Sequence, residues 1–290
     1  MPPLQDALDR TPEGRSRLRL HRRVPQPPDQ VWPALTEPAA MSRWYPCEVA
    51  AEDGGPLRTG AGLVYRFAGT DIRMTGRVRE LTAPRRAALE WGAELLDWEL
   101  CPDGDSDGWG SVLTLTHTFD DHFGAASFAA GWSACMERLS AVAAGEDPGP
   151  LPGPGELEQV HERYVRDFDL TEGAAGTGPD GGWEVRFERQ LVRPADVAWA
   201  SFEAAPDVDG ALFPLGDRLA HEPFGLLEYA WLAGGRPVGR VRWQLGAGTG
   251  QGARLVLTVT GSAEHADRRA DAMTAGRTRI EYLAERLLDG

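Results

Sequence analysis

The residue of this chain best placed to move a proton is His117, which closes the run Leu113-Thr114-Leu115-Thr116-His117. It shares the strand parity of Leu113, Leu115 and Phe119, so its imidazole is expected to point into an apolar interior. There it could donate to a ligand carbonyl or act as acid or base, or simply be a neutral histidine bonded to a neighbour. Spacing identifies no carboxylate partner for it. Asp120, Asp121 and His122 follow directly and read as a solvated turn and helix cap rather than as metal ligands. Arg22 and Arg189 share the parity of Leu20 and Phe187. Each could clamp an acidic group bidentately, or be held in an internal ion pair or at an exposed strand end.

Around these lie aromatic and sulfur side chains. The inward parity of the first strands collects Tyr65, Phe67, Met74, Trp91, Trp98 and Phe119, and a later helix adds Phe128, Trp132 and Met136. With Trp44, and with Tyr229, Trp231 and Trp243 further on, they are the candidate ligand-binding surface. Aromatic rings bury a large rigid area and tolerate flat ligands, and rings at strand period are equally the material of a plain core. Signatures of dedicated chemistry are missing: no Gly-x-Ser-x-Gly elbow, no phosphate-binding Gly-x-x-x-x-Gly-Lys loop, no His-Glu-x-x-His and no Cys-x-x-Cys. No metal and no cofactor are expected. Cys47, Cys101 and Cys135 are odd in number and read as free thiols.

The elements that must position these residues occur twice. Leu20-His21-Arg22-Arg23-Val24 through Val31-Trp32 recurs as Phe187-Glu188-Arg189-Gln190-Leu191 through Ala198-Trp199, 167 positions later. Each copy reads as an alternating strand followed by a helix carrying Trp. In the first copy Leu63, Tyr65 and Phe67, then Ile72, Met74 and Val78, then Leu89 and Trp91, then Leu96, Trp98 and Leu100 mark antiparallel strands. After an Asp103-Gly104-Asp105 turn comes a strand to Phe119 and a helix from about Phe123 to Ala144. Gly- and Pro-rich breaks at 148–154 and 173–182 enclose a helix with Leu157, Val160, His161, Tyr164 and Phe168 on one stripe. The second copy has less chain between Phe202 and Pro223 than the first has between Leu35 and Pro84, so a hairpin is expected to be lost or shrunken. Gly246 to Gly252 reads as a hairpin turn. The expected division is 15–145, a linker with a docking helix at 146–182, and a degenerate copy at 183–290.

Bulk properties set the partners. With 290 residues and a net charge of -14, the chain is long enough for two cores and too acidic for a phosphate-backbone partner. All 30 basic residues are Arg, with Lys and Asn absent, as GC-rich codon usage produces. No apolar stretch approaches the ~20 residues of a membrane span, and Met1-Pro2-Pro3-Leu4-Gln5-Asp6 lacks the pattern of a signal peptide. A cytoplasmic protein without nucleic-acid or membrane partners is expected, its oligomeric state open.

Val31-Trp32 with Leu35-Thr36, Ser42-Arg43-Trp44, Gly76-Arg77-Val78 with Pro84, Leu89-Glu90-Trp91, the run ending at His117, and Gly131-Trp132 with Leu139 together resemble the START-like (SRPBCC) superfamily, in its chaperone ATPase-activator-homologue branch. The resemblance covers nearly all of 15–145 and is fainter over 183–290. It implies an α+β fold of two helix-grip domains, each a curved antiparallel sheet wrapped around a long C-terminal helix. It further implies a cavity between sheet and helix that binds a hydrophobic small molecule such as a polyketide or polyene intermediate, in natural-product biosynthesis or self-resistance. Members of enediyne pathways, a self-sacrifice resistance protein among them, are similar in type. The superfamily also contains polyketide aromatases and cyclases and chaperone-regulating proteins, and these stand as alternative functions.

Overall fold

The computed structural model describes residues 5–104, 109–178, 181–204, 214–250 and 252–288. The chain divides into two compact units, the first running to Gly153 apart from Ala126–Phe128, the second comprising those three residues and Pro154 onward. Asp105 of the expected turn, residues 179–180 of the second Gly-rich break, residue 251 of the expected Gly-rich hairpin, and 205–213 of the shortened stretch lie outside the described residues.

The first unit contains β1 (Ala7–Arg10), β2 (Ser16–Val24), α1 (Pro28–Thr36), α2 (Pro38–Met41), β3 (Glu48–Ala51), β4 (Gly62–Arg66), β5 (Arg73–Thr82), β6 (Arg86–Trp91), β7 (Glu94–Pro102), β8 (Ser111–Phe119) and α3 (Ala125–Ala143). Eight strands form one antiparallel sheet in the order β1-β2-β8-β7-β6-β5-β4-β3. Local sequence explains the breaks. Pro28 sits in the first turn of α1, where its missing N–H costs nothing, and Pro38 starts α2 after Glu37 has turned extended. In β8 buried and half-buried residues alternate over the whole strand, which turns Leu113, Leu115, His117 and Phe119 to one face.

Register carries that face across the sheet. Leu18 and Leu96 lie opposite His117, Leu20 and Trp98 opposite Leu115, and Leu89 opposite Leu96. Tyr65 lies opposite Met74, and Trp91 opposite Glu94 at the β6–β7 turn. Leu18, Leu20, Leu89, Leu96, Trp98 and Leu115 are fully or almost fully buried. Burial of a side chain of this size stabilises by about 1.5–3 kcal/mol.

The second unit contains α4 (Pro154–Asp167), β9 (Ala174–Thr177), β10 (Trp183–Gln190), α5 (Ala195–Ala204), β11 (Leu215–Glu222), β12 (Leu226–Ala233), β13 (Arg236–Ala247), β14 (Ala253–Gly261) and α6 (Arg269–Arg286). Its sheet order, β11-β12-β13-β14-β10-β9, is that of the first without counterparts of β3 and β4 among the described residues. The duplication extends further than the Trp32/Trp199 match. Ala7 pairs with Arg19 and Arg10 with Ser16, and Ala174 pairs with Arg186 and Thr177 with Trp183, every position displaced by 167. β9 therefore occupies a segment that composition marks as a Gly-rich break. It was hidden because all four of its residues are exposed, so no apolar alternation betrays it.

α4 differs from its expected apolar stripe. Glu158, His161, Glu162, Tyr164 and Val165 are buried, whereas Leu157, Val160 and Phe168 are only half-buried. Acidic groups face inward there because Arg189 and Arg193 receive them: Arg189 Nη2 lies 2.5 Å from Glu162 Oε2 and Arg193 Nη1 2.5 Å from Glu158 Oε1. Burial of charge is tolerated only when it is paired in this way.

Candidate functional site

Between sheet and closing helix the first unit gathers aromatic rings into one continuous cluster. The short α2 turn delivers Trp44 and Tyr45, β4 delivers Tyr65 and then Phe67, the β6–β7 hairpin delivers Trp91 and Trp98, and α3 delivers Trp132. Ring centroids lie 4.3 Å apart for Trp44 and Tyr45, 4.6 Å for Tyr65 and Trp91, 5.8 Å for Trp98 and Trp132, and 5.9 Å for Phe67 and Trp91. Edge-to-face arrangements dominate, the geometry in which a positive ring edge meets a negative ring face. Burial is graded along the cluster. Trp44, Tyr65 and Trp98 are fully buried, while Phe67, Met74 and Trp91 are half-buried and form its outer end.

The cluster's polar atoms are mostly engaged. The Trp44 indole donates to the Ala34 carbonyl at 2.8 Å, the Tyr65 hydroxyl to the Glu90 carbonyl at 2.8 Å, and the Trp132 indole to His117 Nδ1 at 3.2 Å. An indole N–H is a donor only, so Nδ1 carries the lone pair and the imidazole proton sits on Nε2. Nε2 lies 2.7 Å from Glu94 Oε2 and donates to it. Burial is the largest influence on His117 and pulls it below the ordinary imidazole value, opposed by the Glu94 carboxylate. The result is a neutral, oriented histidine in a carboxylate–imidazole–indole chain, with Phe119 4.8 Å away between ring centroids.

Glu94 is the partner that spacing did not reveal. The alternation of Leu96, Trp98 and Leu100, continued two residues toward the N-terminus, puts Glu94 on the inward face. Only the pairing of Leu96 with His117 brings it diagonally beside the imidazole. Tyr45 was also missed, because it precedes Pro46 in a stretch with neither strand nor helix period.

The remaining candidates fall into several groups. Arg22 is engaged by the chain itself: Nη1 donates to both Asp6 oxygens at 3.0 Å and Nη2 to Ser133 Oγ at 2.7 Å. Met136 is buried in α3, and Phe128, half-buried, groups with the second unit. In that unit Trp231 and Trp243 belong to the core, with Tyr229 packed against it at 6.1 Å from the Trp243 ring. Arg189, the counterpart of Arg22, is fully buried on Glu162. Asp120 pairs with Arg15 and His122 Nδ1 with Ser16 Oγ, so the turn after β8 is used for structure. Among the described residues no group of three or more His, Cys, Asp or Glu could hold a metal ion, and no helix is long and apolar enough to cross a membrane.

Two depressions open on the surface among the described residues. One of about 540 Å³ is lined by Arg15, Arg79, Glu80, Arg86, Glu90 and Glu94, among others. The other, of about 460 Å³ in the second unit, is lined by residues that include Arg193, Asp196, Val197, Ser201 and Arg286.

Among solved structures, a conserved protein of unknown function from Enterococcus faecalis is 17% identical, over 56% of this chain and 90% of that one, with a TM-score of 0.45. The crystal structure of CalU16 from Micromonospora echinospora is 20% identical over 57% of this chain and 94% of its own, with a TM-score of 0.42. DynU16, described as a putative protein in the dynemicin biosynthetic locus, is 17% identical over 94% and 96%, with a TM-score of 0.41. No curated protein matches the chain. Residues 25–144 match the family described as Activator of Hsp90 ATPase homolog 1-like protein. That segment, which carries the α1 helix, the strand ladder, Glu94, His117 and Trp132, is the part of the chain similar to that family.

Proposed function

We propose that the first unit binds a hydrophobic small molecule, flat or elongated in the manner of a polyketide or polyene intermediate, between its sheet and α3. The observation that carries this reading is the graded aromatic cluster. Phe67, Met74 and Trp91 are half-buried at one end, and from them rings in mutual contact lead inward to Trp98 and Trp44. Such a surface offers large rigid contact area at little entropic cost, and a ligand enters by parting rings at the half-buried end. The protein then acts as a holder of its cargo in natural-product biosynthesis or self-resistance, and its setting is cytoplasmic. Titration with the flat hydrocarbon fluorene, followed by quenching of tryptophan emission, tests this. Saturable binding by the full chain, weakened several-fold in Trp91→Ala, is expected; quenching that never saturates, or is the same in the variant, removes the reading.

The contact between Glu94 and His117 favours a second reading, a cofactor-free aromatase or cyclase in which the imidazole moves protons for a folded poly-β-keto chain. It requires Trp132 to release Nδ1 when substrate arrives. Turnover of such a chain that vanishes in His117→Gln, with fluorene binding retained, supports it; turnover retained in the variant, or absent from the wild type, excludes it.

A further inference from the structure

Two donors of the aromatic cluster are left over when the other buried ones are accounted for. The Tyr45 hydroxyl and the Trp98 indole N–H are both buried, their residues 2% and 1% exposed, and neither has a well-formed hydrogen bond among the described residues. They are neighbours: the Trp98 N–H lies near enough to the Tyr45 oxygen to ease the ionisation of that phenol. Burial nonetheless dominates and pushes Tyr45 well above the ordinary phenol value, so the hydroxyl keeps its proton and remains a donor. Trp44, Trp132 and Tyr65 each donate to a protein acceptor, which makes the exception specific to this pair. Buried donors go unpaired rarely, because each forfeits its bonds to water without recompense.

We infer that Tyr45 and Trp98 form a binding site for a single acceptor oxygen, and that the ligand held by the aromatic cluster carries a carbonyl group there. One carbonyl oxygen has two lone pairs and accepts from both donors at once. Two neutral donors converging on one oxygen in a water-poor surround form the same arrangement that recognises carbonyls in acyl-transfer sites. The rings around the pair, Trp44, Trp132, Tyr65 and Trp91, suit a conjugated or flat ketone over an aliphatic one. The inference rests on the cargo-binding reading above and names the chemical class of that cargo. A hydrocarbon of the same shape fills the same space but leaves both donors unpaired, so it binds more weakly than the ketone.

The test compares 9-fluorenone with fluorene, two flat molecules that differ in one carbonyl, on the full chain. Fluorenone is expected to bind about tenfold more tightly, the worth of one to two net hydrogen bonds. Its carbonyl stretch is expected to move to lower wavenumber when bound. In Tyr45→Phe and in Trp98→Phe the preference for fluorenone over fluorene and the spectral shift are expected to fall, with an unchanged far-UV circular dichroism spectrum showing that the variants are folded. Equal affinity for the two molecules with an unshifted carbonyl stretch overturns the oxygen site and leaves cargo binding standing. Saturable binding of neither molecule removes both. A shift and preference unchanged in both variants assigns the carbonyl to other donors and overturns the inference.

Discussion

Trp132→Phe isolates the chain that runs from Glu94 through His117 to α3. The substitution keeps an aromatic ring but deletes the donor that occupies His117 Nδ1 at 3.2 Å. A net hydrogen bond of about 1 kcal/mol is lost, and an acceptor in a fully buried ring is left unpaired at a cost of about 1–3 kcal/mol. Loss of the larger ring adds a cavity contribution of about 1 kcal/mol. A destabilisation of about 3 kcal/mol at pH 8 is therefore expected. The pH dependence gives the sharper reading. Folding holds His117 below the ordinary imidazole value of 6.5, so the unfolded chain takes up protons first and the wild type loses stability as pH falls from about 6.5 toward the folded value. Besides burial, the largest lowering cause, the geometry opposes a second proton: on Nδ1 it would face the Trp132 N–H. In the variant that opposition is gone, the folded imidazole protonates more readily, and less stability is lost on acidification. The gap between wild type and variant should shrink between pH 8 and pH 5. Urea titration read by hydrogen exchange in β7 and β8 measures both quantities in the first unit. A gap under about 0.5 kcal/mol at pH 8, or one that widens in acid, refutes the hydrogen-bond assignment.

Other outcomes follow from the same coordinates. Arg189→Met strands Glu162 in a buried site and should cost the second unit about 3–5 kcal/mol, whereas adding Glu162→Leu should recover most of it; thermal unfolding of the single and double variants decides, and an additive loss contradicts the pairing. Burial pushes Cys47 and Cys135 up to about 12, while Cys101 is exposed, so an aromatic disulfide reagent at pH 8 should titrate one thiol quickly and the other two only on unfolding. Gly276→Ala places a methyl 2.3 Å from the Phe187 ring and should destabilise the second unit by about 1–3 kcal/mol, read as a lowered Tm; an unchanged Tm shows that α6 shifts freely.

Periodicity alone carried much of this molecule. Alternation in Leu113 to Phe119 and in Leu96 to Leu100 announced β8 and β7 with their inward faces, and the repeat through Trp32 and Trp199 announced two copies of one plan. These were legible because burial of one face of a strand imposes a period of two wherever it occurs. What depends on who stands opposite was not legible. Glu94 became the partner of His117 through a strand register, and Arg22 and Arg189 found Asp6 and Glu162 through segments that precede their strands. β9, exposed along its length, and Tyr45, in a turn between proline-marked elements, left no periodic trace at all. Local chain geometry writes itself into sequence one residue at a time, but the pairing of buried donors, acceptors and charges is a property of distant segments brought within a few ångströms, and it exists only in the folded chain.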